Sequence, residues 1–154
     1  MRDDSGIALT HHETPIHMKT KPFLSLDDLK RIAAASEAEA ATHGWNVTIA
    51  IVDDGGHLLH LHRLDGAGAS TAEMATGKAR TAAVGRRETK LYEDMIKQGR
   101  VAFLSAPMTA MLEGGVPIMV GADMVGAVGV SGVKSDQDAA VAKAGIAALG
   151  IENV

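Results

Sequence analysis

Residues Trp45 to Asp65, WNVTIAIVDDGGHLLHLHRLD, constrain the fold more than any other stretch. They read as two strands joined by a tight turn. Val47, Ile49 and Ile51 alternate with Thr48, Ala50 and Val52, so neither face of the first strand needs water. Such a strand belongs inside a sheet that is covered on both faces. Asp53-Asp54-Gly55-Gly56 supplies residues that tolerate the positive φ of a tight turn. The return strand is less ordinary, because His57, His60, His62 and Arg63 stand among leucines. Strict alternation sets Leu58, His60 and His62 on one face and His57, Leu59, Leu61 and Arg63 on the other. Imidazoles grouped in this way are candidates for ligand chemistry.

A chain of 154 residues forms one domain by length and can bury a core. Hydrophobic residues make up 46% but aromatic residues only 3%, so that core must be built from Ala, Val, Ile, Leu and Met in close contact. The net charge of −4, without a basic cluster, argues against nucleic acid as a partner. The absence of cysteine excludes disulfides, thiolate catalysis, iron–sulfur clusters and cysteine zinc sites. No run approaches the ~20 apolar residues of a membrane-spanning helix. The N-terminus, MRDDSGIALTHHETPIHMKT, lacks the basic-then-apolar order of a signal peptide, so a cytoplasmic location is expected.

Residues 1–20 are polar and aperiodic. They read as an extension carrying His11, His12 and His17, outside a single domain over 21–154. Ser25 caps a first helix, with Asp27 and Asp28 in its first turn. Its buried face is Leu29, Ile32, Ala33, Ser36 and Ala40, and Gly44 ends it. After the hairpin and a GAGAS loop, Ser70 or Thr71 starts a second helix running to about Val84. Ala72, Ala75, Ala79, Ala82 and Ala83 give it a small-residue face, and Gly77 permits a further close approach. A polar helix over 88–98 follows. The segment Val101 to Met111, broken by Pro107, lines a pocket or a subunit contact through Phe103, Met108 and Met111. VPIMV is a third strand, placed at an edge by Pro117, and MVGAVGVSG is a fourth with room for something close against its glycines. Ser135 and Asp138 open the last helix in the manner of a capping box, with Val141, Ala144, Gly145, Ala148 and Leu149 buried. This order predicts an α/β sandwich, a mainly antiparallel sheet flanked by helices on both faces.

Six short motifs occur in a fixed order. They are IVDDGG at Ile51–Gly56, RLDGA at Arg63–Ala67, KARTA at Lys78–Ala82, GGVPI at Gly114–Ile118, GAVGVSG at Gly126–Gly132, and Gln137-Asp138 opening the last helix. Together they resemble the GlcG/HbpS-like family, which includes the C-terminal domain of the PduO corrinoid adenosyltransferases. The resemblance covers about residues 24–150. It implies a profilin-like sheet flanked by helices, assembly into homo-oligomers, and a small-molecule ligand that in several members is haem. Other members stand in catabolic operons. Glu113 before the double glycine, and the histidines of the second strand, depart from the family pattern.

Haem ligation needs an imidazole facing an apolar cavity and cations near the propionates. His60, His62 and His43 are candidates for the iron. Arg63, Lys78 and Arg80 are candidates for the propionates, and Asp65 is a further ligand-binding candidate. His60 and His62 read as well as half-buried or interface histidines, and His43 as a favourable cation at a helix C-terminus. As neutral imidazoles, His60 and His62 can also share a transition metal, with Glu113 as third ligand. The alternative function is a cofactor-independent lyase or isomerase on a small carboxylate, aromatic ones included. Arg63 would then clamp the carboxylate, Lys78 would be base or Schiff-base nucleophile, and His60, His62 or Glu113 would move the proton. A purely structural oligomer is a third reading.

Overall fold

The hairpin forms, and Asp53 builds its turn. A computed structural model describes residues 16–151. In it β1 (Thr48–Asp53) pairs antiparallel with β2 (Leu58–Arg63). Asp53 Oδ1 accepts the backbone N–H groups of Gly55 and His57, each at 2.9 Å, and Gly56 takes a left-handed φ of 81°. Partial burial pushes the Asp53 carboxyl up, but the hydrogen bonds from His57 and Gly55 outweigh it and hold the group below the ordinary aspartate range.

The sheet is antiparallel throughout. β4 (Asp123–Ser131) pairs with β1 and with β3 (Gly115–Val120), in the order β2-β1-β4-β3. The strands that are apolar on both faces, β1 and β4, are therefore interior. β3, where Pro117 lacks an N–H, is an edge, as its sequence requires. The other edge differs from strict alternation. Ile51 stands opposite His60, but Val52 stands opposite Leu58, so Leu59 is an extra residue in a β-bulge. The bulge moves Leu58 to the face of Leu61 and Arg63. His60 and His62 keep a common face, opposite Ile51 and Ile49.

Different chemistry covers the two faces. α2 (Thr71–Gly85) lays Ala75, Ala79, Ala82 and Ala83 on Ala50, Val52 and Ala127. The approach is so close that a Cβ on Gly129 would overlap the Ala75 carbonyl and crowd the Ala79 N–H. Larger residues fill the opposite face. α1 (Leu26–His43) and α4 (Ser135–Ala147) bring Leu29, Ile32, Val141, Ala142 and Ile146 against Val47, Ile49, Ile51, Val128 and Val130.

Ser25 and Asp28 close the capping box of α1, the Asp28 carboxylate accepting the Ser25 N–H at 2.9 Å. Gly44 ends that helix at φ 66°. α4 departs from expectation. Lys134 is its N-cap and Gln137 Oε1 accepts the Lys134 N–H at 3.2 Å, while Asp138 turns into the protein instead of pairing with Ser135. Its predicted buried face is right at Val141 and Gly145, whereas Ala144, Ala148 and Leu149 are half-buried. α3 (Lys90–Lys97) and a 3-10 turn (Val101–Ser105) lead to β3. Residues 16–25 form no helix or strand, yet Lys21 pairs with Asp54 and Leu24 packs on the core. The expectation for residues 1–15, with His11 and His12, lies outside the described residues. Among the described residues no helix is long and apolar enough to cross a membrane.

Two outcomes are expected. Gly129→Ala forces a methyl group into the α2 backbone and lowers stability by roughly 3 kcal/mol, at the upper end of overpacking costs, as read by thermal or urea unfolding. Asp53→Ala costs roughly 1 kcal/mol at neutral pH. The folded-state pKa of Asp53 lies below its unfolded value of about 3.9, so its contribution is present above that pH. The stability gap between the variant and the wild type therefore narrows as pH falls through the lowered value.

Candidate functional site

Lys78 is on the buried side of α2. Its ammonium donates to the Val130 carbonyl at 3.0 Å and to Asp138 Oδ2 at 2.8 Å, and both charged side chains are 3% exposed. Asp138 Oδ1 accepts the Val133 N–H at 3.2 Å. Burial pushes the Asp138 carboxyl up, while the hydrogen bond and charge of Lys78 pull against it. The double glycine houses the pair. A Cβ on Gly114 would stand 2.9 Å from Lys78 Nζ, and one on Gly115 would overlap the Lys78 carbonyl. Four motifs distant in sequence thus meet at one ion pair that fastens α2, β4 and α4. Asp138 is the residue that sequence reasoning missed here. The available signal was its place one turn before Val141 and Ala142 on the buried face of α4: a carboxylate there requires a buried cation.

The remaining candidates divide between the two edges of the sheet. Arg63 and Asp65 are exposed at the end of β2. Glu113 lies beside β3, with its carboxylate 3.7 Å from Lys90 Nζ and its backbone N–H donating to Glu93 Oε2 at 2.6 Å. Among the described residues no hydrogen bond or ion pair joins Arg63 to Asp65, Lys78 or Glu113. β1 and β4 stand between β2, which ends at Arg63, and β3, beside which Glu113 lies.

His60 and His62 reach toward α1, where Glu37 meets them. His62 Nδ1 is 2.5 Å from Glu37 Oε1. One potential ligand atom from each of Glu37, His60 and His62 lies within 4.8 Å of the others. The imidazole rings are edge-to-face with centroids 6.4 Å apart, and His60 Nε2 is buried with no hydrogen-bond partner among the described residues. Glu113, the expected third ligand, is not in this group; Glu37 is, and the strand order separates β2 from β3, beside which Glu113 lies. His43 is apart from this group. It stacks on Trp45 at 4.2 Å and lies 3.1 Å from Glu39 at the end of α1.

The segment after α3 does line a cavity. A space of about 450 Å³ is bounded by Ile96, Lys97, Leu104, Met108, Met111 and Leu112. Ala110, at φ 52°, separates it from a smaller hollow of about 290 Å³ beside Gly77 and Arg80. Gly77 makes room for this segment, since a Cβ there would stand 2.9 Å from that of Ala110. Phe103 packs instead against Tyr92 and Arg100.

Removing one member of the buried pair leaves the other charge uncompensated. Lys78→Met is expected to cost about 3–5 kcal/mol. Lys78→Met with Asp138→Leu restores part of that loss, and chemical denaturation of both variants checks it.

The chain is similar to several known proteins. The model of a family described as "Haem degrading protein HbpS-like" matches residues 24–147. Protein GlcG of Escherichia coli (strain K12) is 53% identical over 114 residues, covering 74% of this chain and 85% of that protein. The crystal structure of HbpS superposes with a TM-score of 0.78 at 33% identity, covering 86% of this chain and 94% of that one. The crystal structure of a PduOC:heme complex gives a TM-score of 0.75 at 26% identity, covering 82% of this chain and 95% of that one. On the family match over residues 24–147 and the GlcG relationship, the chain belongs to the GlcG/HbpS-like family.

Proposed function

We propose that this protein binds haem or a related tetrapyrrole, as a homo-oligomer. The apolar cavity between α3 and the segment that leads to β3 carries the reading. Its volume of about 450 Å³ lies within the range of small-molecule sites. Ile96, Leu104 and Leu112 suit the faces of a macrocycle. Met108 and Met111 offer thioether sulfurs, a ligand type that haem iron accepts. Lys97, now 2.5 Å from Glu93, offers an ammonium to a propionate at the rim. The residues present therefore fit the group, which supplies a redox-active iron when bound. The haem-related description of the family and the haem complex of the PduOC relative support the same ligand. His60 and His62 suit a porphyrin less well, because His60 Nε2 has no exposed surface and Glu37 stands among the rings. Assembly draws support from Leu58, Leu59 and Leu61, which are 51%, 42% and 38% exposed along the unpaired edge strand β2.

Haemin titration followed by absorbance tests the proposal. The expected result is a saturable Soret shift at about one haem per chain. Replacing both Met108 and Met111 by alanine weakens binding about tenfold or more, and His60→Ala leaves it unchanged. Absence of a saturable shift in the wild-type protein overturns it.

A further inference from the structure

We propose that Glu37, His60 and His62 form a binding site for one divalent transition-metal ion of the zinc or iron(II) class. His60 and His62, two residues apart on one face of β2, direct two imidazoles to the same side of the strand. Glu37, beside the buried stripe of α1, adds a carboxylate from a different element. The three donors lie within 4.8 Å of one another, close enough for a single ion to touch all of them.

The chemistry selects the ion. Two imidazoles and one carboxylate are the donors of open iron(II) centres. They also match catalytic zinc, which takes three protein ligands and leaves a position for water. Magnesium and calcium prefer sites built wholly from oxygen. The Glu37–His62 hydrogen bond of 2.5 Å already holds one ring against the carboxylate. The His60 ring has a buried Nε2 with no partner among the described residues, a costly arrangement that a cation bound at that nitrogen would relieve. Glu37 and His62 are about one third and one half exposed, so an ion can enter and keep coordination positions open to solvent or a further ligand. The site joins β2 to α1, and neither element contributes a residue to the methionine-lined cavity, which α3 and residues 104–112 bound. It is thus independent of the haem reading.

The test titrates cobalt(II) into chelator-treated, full-length protein and follows d–d absorption, with zinc(II) calorimetry for stoichiometry. One ion per chain is expected. Glu37→Gln and His60→Ala each weaken binding at least tenfold, while replacing His11, His12 and His17 together by alanine leaves this ion in place. Glu37→Gln keeps the shape of a partly exposed side chain, so it decides the matter even where His60→Ala unfolds the strand. Loss of stoichiometric binding in the tail variant, equal affinity in Glu37→Gln and wild type, or no binding at all overturns the assignment. Haemin titration of Glu37→Gln separates the two sites, because unchanged haem affinity beside lost cobalt affinity places the ion outside the haem site.

Discussion

A buried ion pair joins the layers of this protein. Lys78 comes from the alanine-rich helix on one face of the sheet, and Asp138 from the first turn of the helix on the other. The Val130 carbonyl takes another of the ammonium's hydrogens. Such a pair tolerates replacement of both partners better than loss of one, because a lone buried charge has no solvent to turn to. Gly114 and Gly115 leave the space it occupies. Thr89, just before α3, accepts the Gly115 N–H at 2.9 Å and donates its own N–H to the Gly115 carbonyl at 3.0 Å. The segment that walls the cavity, from α3 through Met111 and Leu112, is therefore tied at both ends to the residues that house the pair.

The scarcity of aromatic side chains shapes the rest. With only 3% aromatic residues, close contact is obtained by letting α2 approach β4 until little more than backbone lies between them. Where the chain leaves that layer, between α3 and β3, methionine and leucine surround the larger space. Methionine is unbranched and polarizable, and adapts to an irregular or occupied cavity more readily than a β-branched side chain. Rigid small-residue packing and an adaptable methionine wall thus adjoin each other at Gly77, where α2 meets Ala110.

What could be read from the sequence was what local pattern encodes. The two-sided apolar run of β1, the edge placement from Pro117, the Ser25 cap and the buried face of α1 each depend on a few neighbouring residues. All are found in the structure. The misses depend on partners distant in sequence. The bulge at Leu59 is a property of register with β1 and leaves no mark in HLLHLHR itself. Asp138 occupies a position where a capping residue is ordinary, and only the lysine across the sheet end reveals its other use. Glu37 is one of several exposed-looking acids on α1 until β2 is laid beside it. Glu113 shares only chemical type with the histidines of β2, and the order β2-β1-β4-β3 separates them. The Val101–Met111 segment was legible as pocket-forming from its methionines and Pro107, though not which of its apolar side chains face the space.

Two kinds of ligand chemistry stand apart in this molecule, thioethers in the cavity after α3 and imidazoles on β2. A crystal structure of the protein grown with haemin, with an anomalous difference map recorded at the iron edge, tests this separation most directly. One strong iron peak beside Met108 and Met111 is expected. A haem iron peak on His60 or His62, or none in the methionine-lined cavity of haem-loaded protein, would contradict it.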